Sequence, residues 1–219
     1  MSWPSARGQG SVGRGSAAQP TTSLRSSASG RSAFGGSIAV AYASDTTAAN
    51  LLTAGFTSPD ATEAITSTTG TFTAVVGATN EEFTGIEYQE NCGGGAQTVT
   101  AAGTGSGRAL CIAEYSGIAT TGSLDVSRSG TGFDTAMDSG NVVTGQADEL
   151  LFGAGCGSAG GRSHLPGTNY TERQDIADTH AIAIEDRIVT ATGTYNATMT
   201  SSSIGNYVMC IATYKASGA

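Results

Sequence analysis

Leu110-Cys-Ile-Ala-Glu-Tyr115 and Met209-Cys-Ile-Ala-Thr-Tyr214 are near copies of one another. In an extended chain, successive side chains point to opposite faces. Cys111, Ala113 and Tyr115 therefore share one face, and Leu110 and Ile112 share the other. Cys210, Ala212 and Tyr214 repeat the first set, and Met209 and Ile211 the second. Both faces are largely apolar, the signature of central strands covered on both sides. The opposing sheet supplies one cover. The second is expected from a long loop, the N-terminal arm or another subunit.

Working outward, short runs of Thr, Val, Ile and Tyr alternate with Gly- and Asn-containing turns. That pattern favours strands over helices. Strands are expected over 37–43, 51–57, 71–76, 84–90, 96–101, 109–115, 140–144, 149–155, 170–174, 180–189, 194–200 and 207–214. Residues 117–139 lack the alternation and read as a surface loop. About a dozen short strands in 219 residues suit an all-β fold, a two-sheet antiparallel sandwich of jelly-roll-like type. The expected division is a basic Gly/Ser-rich N-terminal arm over 1–34 and one sandwich domain over 35–219.

Charge is segregated. Residues 1–44 hold Arg7, Arg14, Arg25 and Arg31 and no acid, while the remainder sets six basic residues against all eighteen acids. A cationic arm on an anionic body suits docking on an acidic neighbour, a second copy included. Such a body repels phosphates, so nucleic acid is not an expected partner. Trp3 and Phe34 are the only aromatics of the arm. With the four arginines they form the expected partner-binding set, Trp3 as an inserted anchor. No apolar leader is read near Met1 and no stretch long enough to span a membrane, so synthesis in the cytoplasm without membrane insertion is expected.

Candidate chemistry is sparse. Cys92, Cys111, Cys156 and Cys210 include no CxxC and no zinc spacing, so buried free thiols are the preferred reading. Gly155-Cys-Gly-Ser-Ala-Gly160 matches GxGxxG, but Gly161 and Pro166-Gly167 continue a loop where a dinucleotide site needs a helix to open. His164 and His180 are the only histidines, and GxSxG is absent. The pairs Glu81-Glu82, Asp148-Glu149 and Glu185-Asp186 point to opposite faces of their strands, unlike the facing carboxylates of glycoside hydrolysis. Asp134 and Asp138 lack the EF-hand pattern. No catalytic residue, metal or cofactor is therefore assigned.

Several stretches occur in a fixed order: Asn50-Leu-Leu, Ile112-Ala-Glu-Tyr-Ser-Gly117, Asp148-Glu-Leu-Leu-Phe-Gly153, Tyr170-Thr-Glu-Arg-Gln174, Ala183-Ile-Glu-Asp-Arg187, Ala191-Thr-Gly-Thr-Tyr195 and the closing strand to Tyr214. Over residues 37–215 the chain resembles a β-sandwich module of tailed-phage virion proteins and bacterial surface proteins. The resemblance implies a non-enzymatic structural protein on the virion surface. Its expected role is a capsid decoration (cement) or head-fibre protein that binds the major capsid protein through its arm and forms a homo-oligomer such as a trimer. The alternative is a carbohydrate- or surface-binding adhesion module, with Tyr88, Tyr170, Tyr195 and Tyr207 as a stacking platform.

Overall fold

A computed structural model describes residues 21–32, 36–59, 64–103, 107–158 and 160–218. These form an all-β sandwich with no helix among them. The first half contributes β1 (Ser23–Ser32), β2 (Ile38–Ala41), β3 (Leu51–Ser58), β4 (Ile65–Ser67), β5 (Gly70–Thr71), β6 (Thr73–Asn80), β7 (Glu82–Gln89), β8 (Thr98–Ala101) and β9 (Arg108–Ser116). The second contributes β10 (Leu124–Asp138), β11 (Val142–Val143), β12 (Glu149–Gly157), β13 (His164–Pro166), β14 (Thr171–Ile176), β15 (Ile182–Val189), β16 (Thr194–Tyr195) and β17 (Thr198–Lys215).

The two halves are repeats of one topology. The first main sheet has the order β1-β9-β3-β7-β6 and the second the order β10-β17-β12-β15-β14. The small pairs correspond too, β2 with β8 and β11 with β16. Register confirms the equivalence residue by residue. Leu51 lies opposite Tyr115 as Leu150 lies opposite Tyr214. Glu87 lies opposite Ala54 as Glu185 lies opposite Gly153. Even the bulges recur, between Ala74 and Val76 in β6 and between Glu172 and Gln174 in β14. A bulge fixes register and adds local twist, so its repetition gives both sheets the same shape.

Four layers result. The inner faces of the main sheets enclose a central core that holds Leu51, Cys111, Ala113, Tyr115, Leu150, Phe152, Ile184, Cys210, Ala212 and Tyr214. Across it Tyr115 meets Phe152 edge-on, with centroids 6.3 Å apart. Leu110 and Ile112 face outward into a second cluster with Ile38, Val40 and Val99. Met209 and Ile211 face outward into a third with Met137, Val142 and Met199. The second cover of the central strands is therefore supplied by the chain itself. On one side it is the small sheet β2-β8-β4-β5, and on the other β11-β16 together with Met137 of β10, Met199 of β17 and the connection residues Tyr170 and Ala197. All four cysteines are free and buried.

Two stretches differ from the sequence reading, for one shared reason. Most of residues 117–139 is not a loop, because β10 runs from Leu124 to Asp138. Of the segment 1–34, Ser23–Ser32 is strand β1, paired with β9. Each is an outermost strand bonded on one side only, which buries little and so carries no apolar alternation. Their kinship is written in small residues: Ser23-Leu24 and Ser29-Gly30 recur as Ser123-Leu124 and Ser129-Gly130. Gly30 lies opposite Leu110 and Gly130 opposite Met209. A Cβ on Gly30 would come within 2.9 Å of the Val40 side chain and one on Gly130 within 2.2 Å of the Asp138 carbonyl, so β2 packs tightly over Gly30 and the backbone itself crosses closely at Gly130.

Candidate functional site

The residues expected to bind a partner divide into two groups. Trp3, Arg7, Arg14 and Phe34 lie outside the described residues. Arg25 is exposed at the bulge of β1 between Leu24 and Ser26. Arg31 stays at the surface and pairs with Asp178 of the protein's own second half at 2.7 Å, the two side chains 50% and 32% exposed. The Thr179 backbone N–H, followed by the Thr179 hydroxyl and the Arg31 guanidinium, holds the Asp178 carboxyl below its ordinary range. β1 is further clipped to β14, where Ser29 donates to Gln174 Oε1 at 2.7 Å and Gln174 Nε2 donates to Ser27 at 3.0 Å. The last part of the basic segment is thus a structural strand that bridges the repeats.

The richest polar assembly lies in the second repeat, around β13. His164 stands opposite Ser201 of β17. Asp175 of β14 grips His164 twice, accepting the backbone N–H at 3.0 Å and facing Nδ1 at 3.0 Å. The imidazole is fully enclosed, and its Nε2 has no hydrogen-bond partner. Ser201 Oγ is likewise buried without a partner. Ser, His and Asp are the ingredients of nucleophilic catalysis. Here the hydroxyl and Nε2 do not bond each other, and both are walled in.

Arg162 adds a buried cation to the same region. Its Nη2 donates to the Ile204 carbonyl at 2.9 Å, while Nε and Nη1 have no partner. Gly157 and Gly205 make room for it. A Cβ on Gly157 would meet Arg162 Nη1 at 3.1 Å, and one on Gly205 would meet Nη2 at 2.1 Å. Gly157 belongs to the GxGxxG match noted above. The segment after it turns into β13 rather than opening a helix, so this glycine clears space for a guanidinium and not for a pyrophosphate.

Of the paired carboxylates only Glu185-Asp186 lies within one strand and points to opposite faces; Glu81 and Asp148 are positive-φ residues just outside β7 and β12, so strand alternation does not govern their pairs. Glu185 accepts the Gly167 N–H at 2.8 Å on the outer face. Asp186 faces the centre, where it accepts the Tyr115 hydroxyl at 2.7 Å and is held by the Arg173 guanidinium at 2.8 and 2.9 Å. Burial pushes the Glu185 carboxyl up to about 8. Burial, followed by the charge of Asp125, pushes Glu149 up to about 7. Glu149 takes the place that Asn50 holds in the first repeat, where Asn50 donates to Glu114 at 2.5 Å. Thr213 in turn takes the place of Glu114, so the buried acid has changed strand between repeats.

None of the four tyrosines expected as a sugar platform is free. Tyr88 stacks on Tyr214 at 5.4 Å, Tyr170 is buried and donates to the Asn196 carbonyl, Tyr195 lies under Arg187, and Tyr207 covers Gly132. Phe133, Val143, Leu165, Ile188 and Ile204 are the exposed large apolar residues among those described, and all belong to the second repeat. Arg162, Asp175 and Ser201 carried no motif in the sequence. Only the register of β13 on β17 and of β14 on β15 assembles them. No protein-family model matches the chain, and no curated protein or solved structure is significantly similar to it.

Proposed function

We propose that this chain is a non-enzymatic structural protein of a virion, a capsid decoration or head-fibre protein of a tailed bacteriophage that attaches through its basic N-terminal segment. Charge segregation is the observation that carries this reading. No acid occurs before Asp45, whereas the body has three times as many acids as basic residues. The Arg31–Asp178 pair is a local instance of the same complementarity, an arginine of the basic segment seated on an acid of the sandwich. Arg7 and Arg14 extend that series toward acidic surface on a capsid subunit or a second copy.

The fold narrows the test. Deletion of residues 1–34 would remove β1, so the informative truncation stops before Thr21. The full chain is expected to co-sediment with capsids of the phage that encodes it, and the chain lacking residues 1–20 to remain folded but stay in the supernatant. Normal co-sedimentation of the truncated chain, or none of the full chain, would overturn the reading. Glycan binding is less well supported, because all four candidate tyrosines are engaged within the fold.

A further inference from the structure

We infer that Arg162 and Ser201 form an enclosed binding site for a small monovalent inorganic anion of halide size. Arginine keeps its charge at every accessible pH, and a buried charge is strongly disfavoured unless an opposite charge or a full set of hydrogen bonds offsets it. Arg162 is 5% exposed. Its single partner is the Ile204 carbonyl, leaving the nitrogens Nε and Nη1 buried and unused. Arg162 takes no part in the ion pairs that join Arg31 to Asp178, Arg173 to Asp186, His164 to Asp175 and His180 to Glu82. The nearby carboxylate of Asp175 spends both oxygens on His164.

A third unused donor converges on the same place. Ser201 Oγ is buried and unpartnered. It lies 3.5 Å from the point where a Cβ on Gly157 would stand, and Arg162 Nη1 lies 3.1 Å from that point. Two guanidinium nitrogens and one hydroxyl, with no acceptor assigned to them, are the donor set of an anion site. Charge and enclosure set the class of ligand. One guanidinium balances one negative charge, and His164 and Ser201, 2% and 3% exposed, leave the site shut from bulk water. A monatomic anion that sheds its hydration shell suits such a place better than a multiply charged oxyanion. The bound ion would tie Arg162 to Ser201 in the first part of β17, and the site is independent of the attachment role proposed above.

Crystals of the full chain in sodium bromide test this directly. The expected result is an anomalous peak beside Arg162 Nη1 and Ser201 Oγ. In solution, chloride replacing gluconate at constant ionic strength should raise the melting temperature by about 3–5 °C per tenfold increase above the dissociation constant. Ser201→Ala should reduce that slope, and Arg162→Met should abolish it. A water in place of bromide, or a wild-type melting temperature indifferent to chloride, would overturn the inference. If Arg162→Met does not fold, the wild-type diffraction result still decides.

Discussion

Tyr115 and Tyr214 occupy equivalent positions in the two repeats, and each reaches across the central core to the opposite sheet, yet only one hydroxyl is satisfied. Tyr115 donates to Asp186 at 2.7 Å. Tyr214 meets Tyr88, the residue equivalent to Asp186, and its buried hydroxyl has no partner. The difference extends one residue further. Arg173, which locks Asp186, sits in the bulge of β14, where β6 has the apolar Val75. The repeats have thus filled one site with a charged triad and its counterpart with an aromatic pair.

Tyr115→Phe should therefore destabilise the fold by about 1–3 kcal/mol, because it leaves the buried Asp186 short of a donor. Tyr214→Phe should be neutral or slightly stabilising. Urea unfolding of the two variants measures the contrast. Equal losses would show that Tyr214 has a bonding role.

Glu185 and Glu149 should make the protein less stable as the solution becomes more alkaline. Their folded-state values are raised, to about 8 and about 7, above an ordinary value of 4.5. Below about pH 4.5 both are neutral folded or unfolded. As pH rises, the unfolded chain releases their protons first, so stability falls through the interval up to about 8 and then levels. Each proton contributes a slope of at most about 1.4 kcal/mol per pH unit. Glu185→Gln should flatten its share of the slope in unfolding free energy measured between pH 5 and 8.

The thiols should be silent in the native state. Burial pushes Cys156 and Cys210 up to about 12, and Cys111 and Cys92 upward as well. Thiolate is the reactive form. A disulfide reagent should label none of the four rapidly at pH 8, and all four in denaturant. Fast labelling of native protein would show that a core strand opens.

Gly55→Ala should cost about 1–3 kcal/mol through overpacking. Gly55 lies in β3 at the centre of the sandwich, and an added Cβ would stand 2.7 Å from Ile184 and 2.9 Å from Ala154. Both are packed in the central core, with no open side to yield into. Thermal unfolding gives the loss directly, and an unchanged midpoint would mean that the sheets can move apart.

Arg31→Ala should cost little stability, and the difference from wild type should shrink in high salt, because both partners are exposed to solvent. Chemical unfolding at low and high sodium chloride checks both expectations.

The sequence shows most plainly what lies at the centre. The face assignment of Cys111 and Cys210, Leu110 and Met209 is legible because central strands need apolar residues on both sides, and period-two alternation then has one solution. The edges are less legible. β1 and β10 bond on one side only; β1 is mostly Ser, Gly and Arg, and β10 scatters Leu124, Val126, Phe133 and Met137 among Ser, Gly, Thr and Asp, so no continuous apolar stripe marks them. The duplication is visible in Gly85-Ile-Glu-Tyr-Gln89 and Ala183-Ile-Glu-Asp-Arg187 only once register has aligned them. The Arg162, His164 and Ser201 assembly is illegible for another reason. Its members meet through pairing between β13 and a distant part of β17, and nothing local in the chain encodes that meeting.

Duplication within one polypeptide also frees the outermost strands from each other. A symmetric homodimer built from a single such unit would present the same rim twice. Here β1 has Arg25 and Arg31 on its rim, while β10 shows Phe133 to solvent at 65% exposure. One gene product thereby acquires two chemically unlike flanks at fixed separation, without recruiting a second gene to supply the other side.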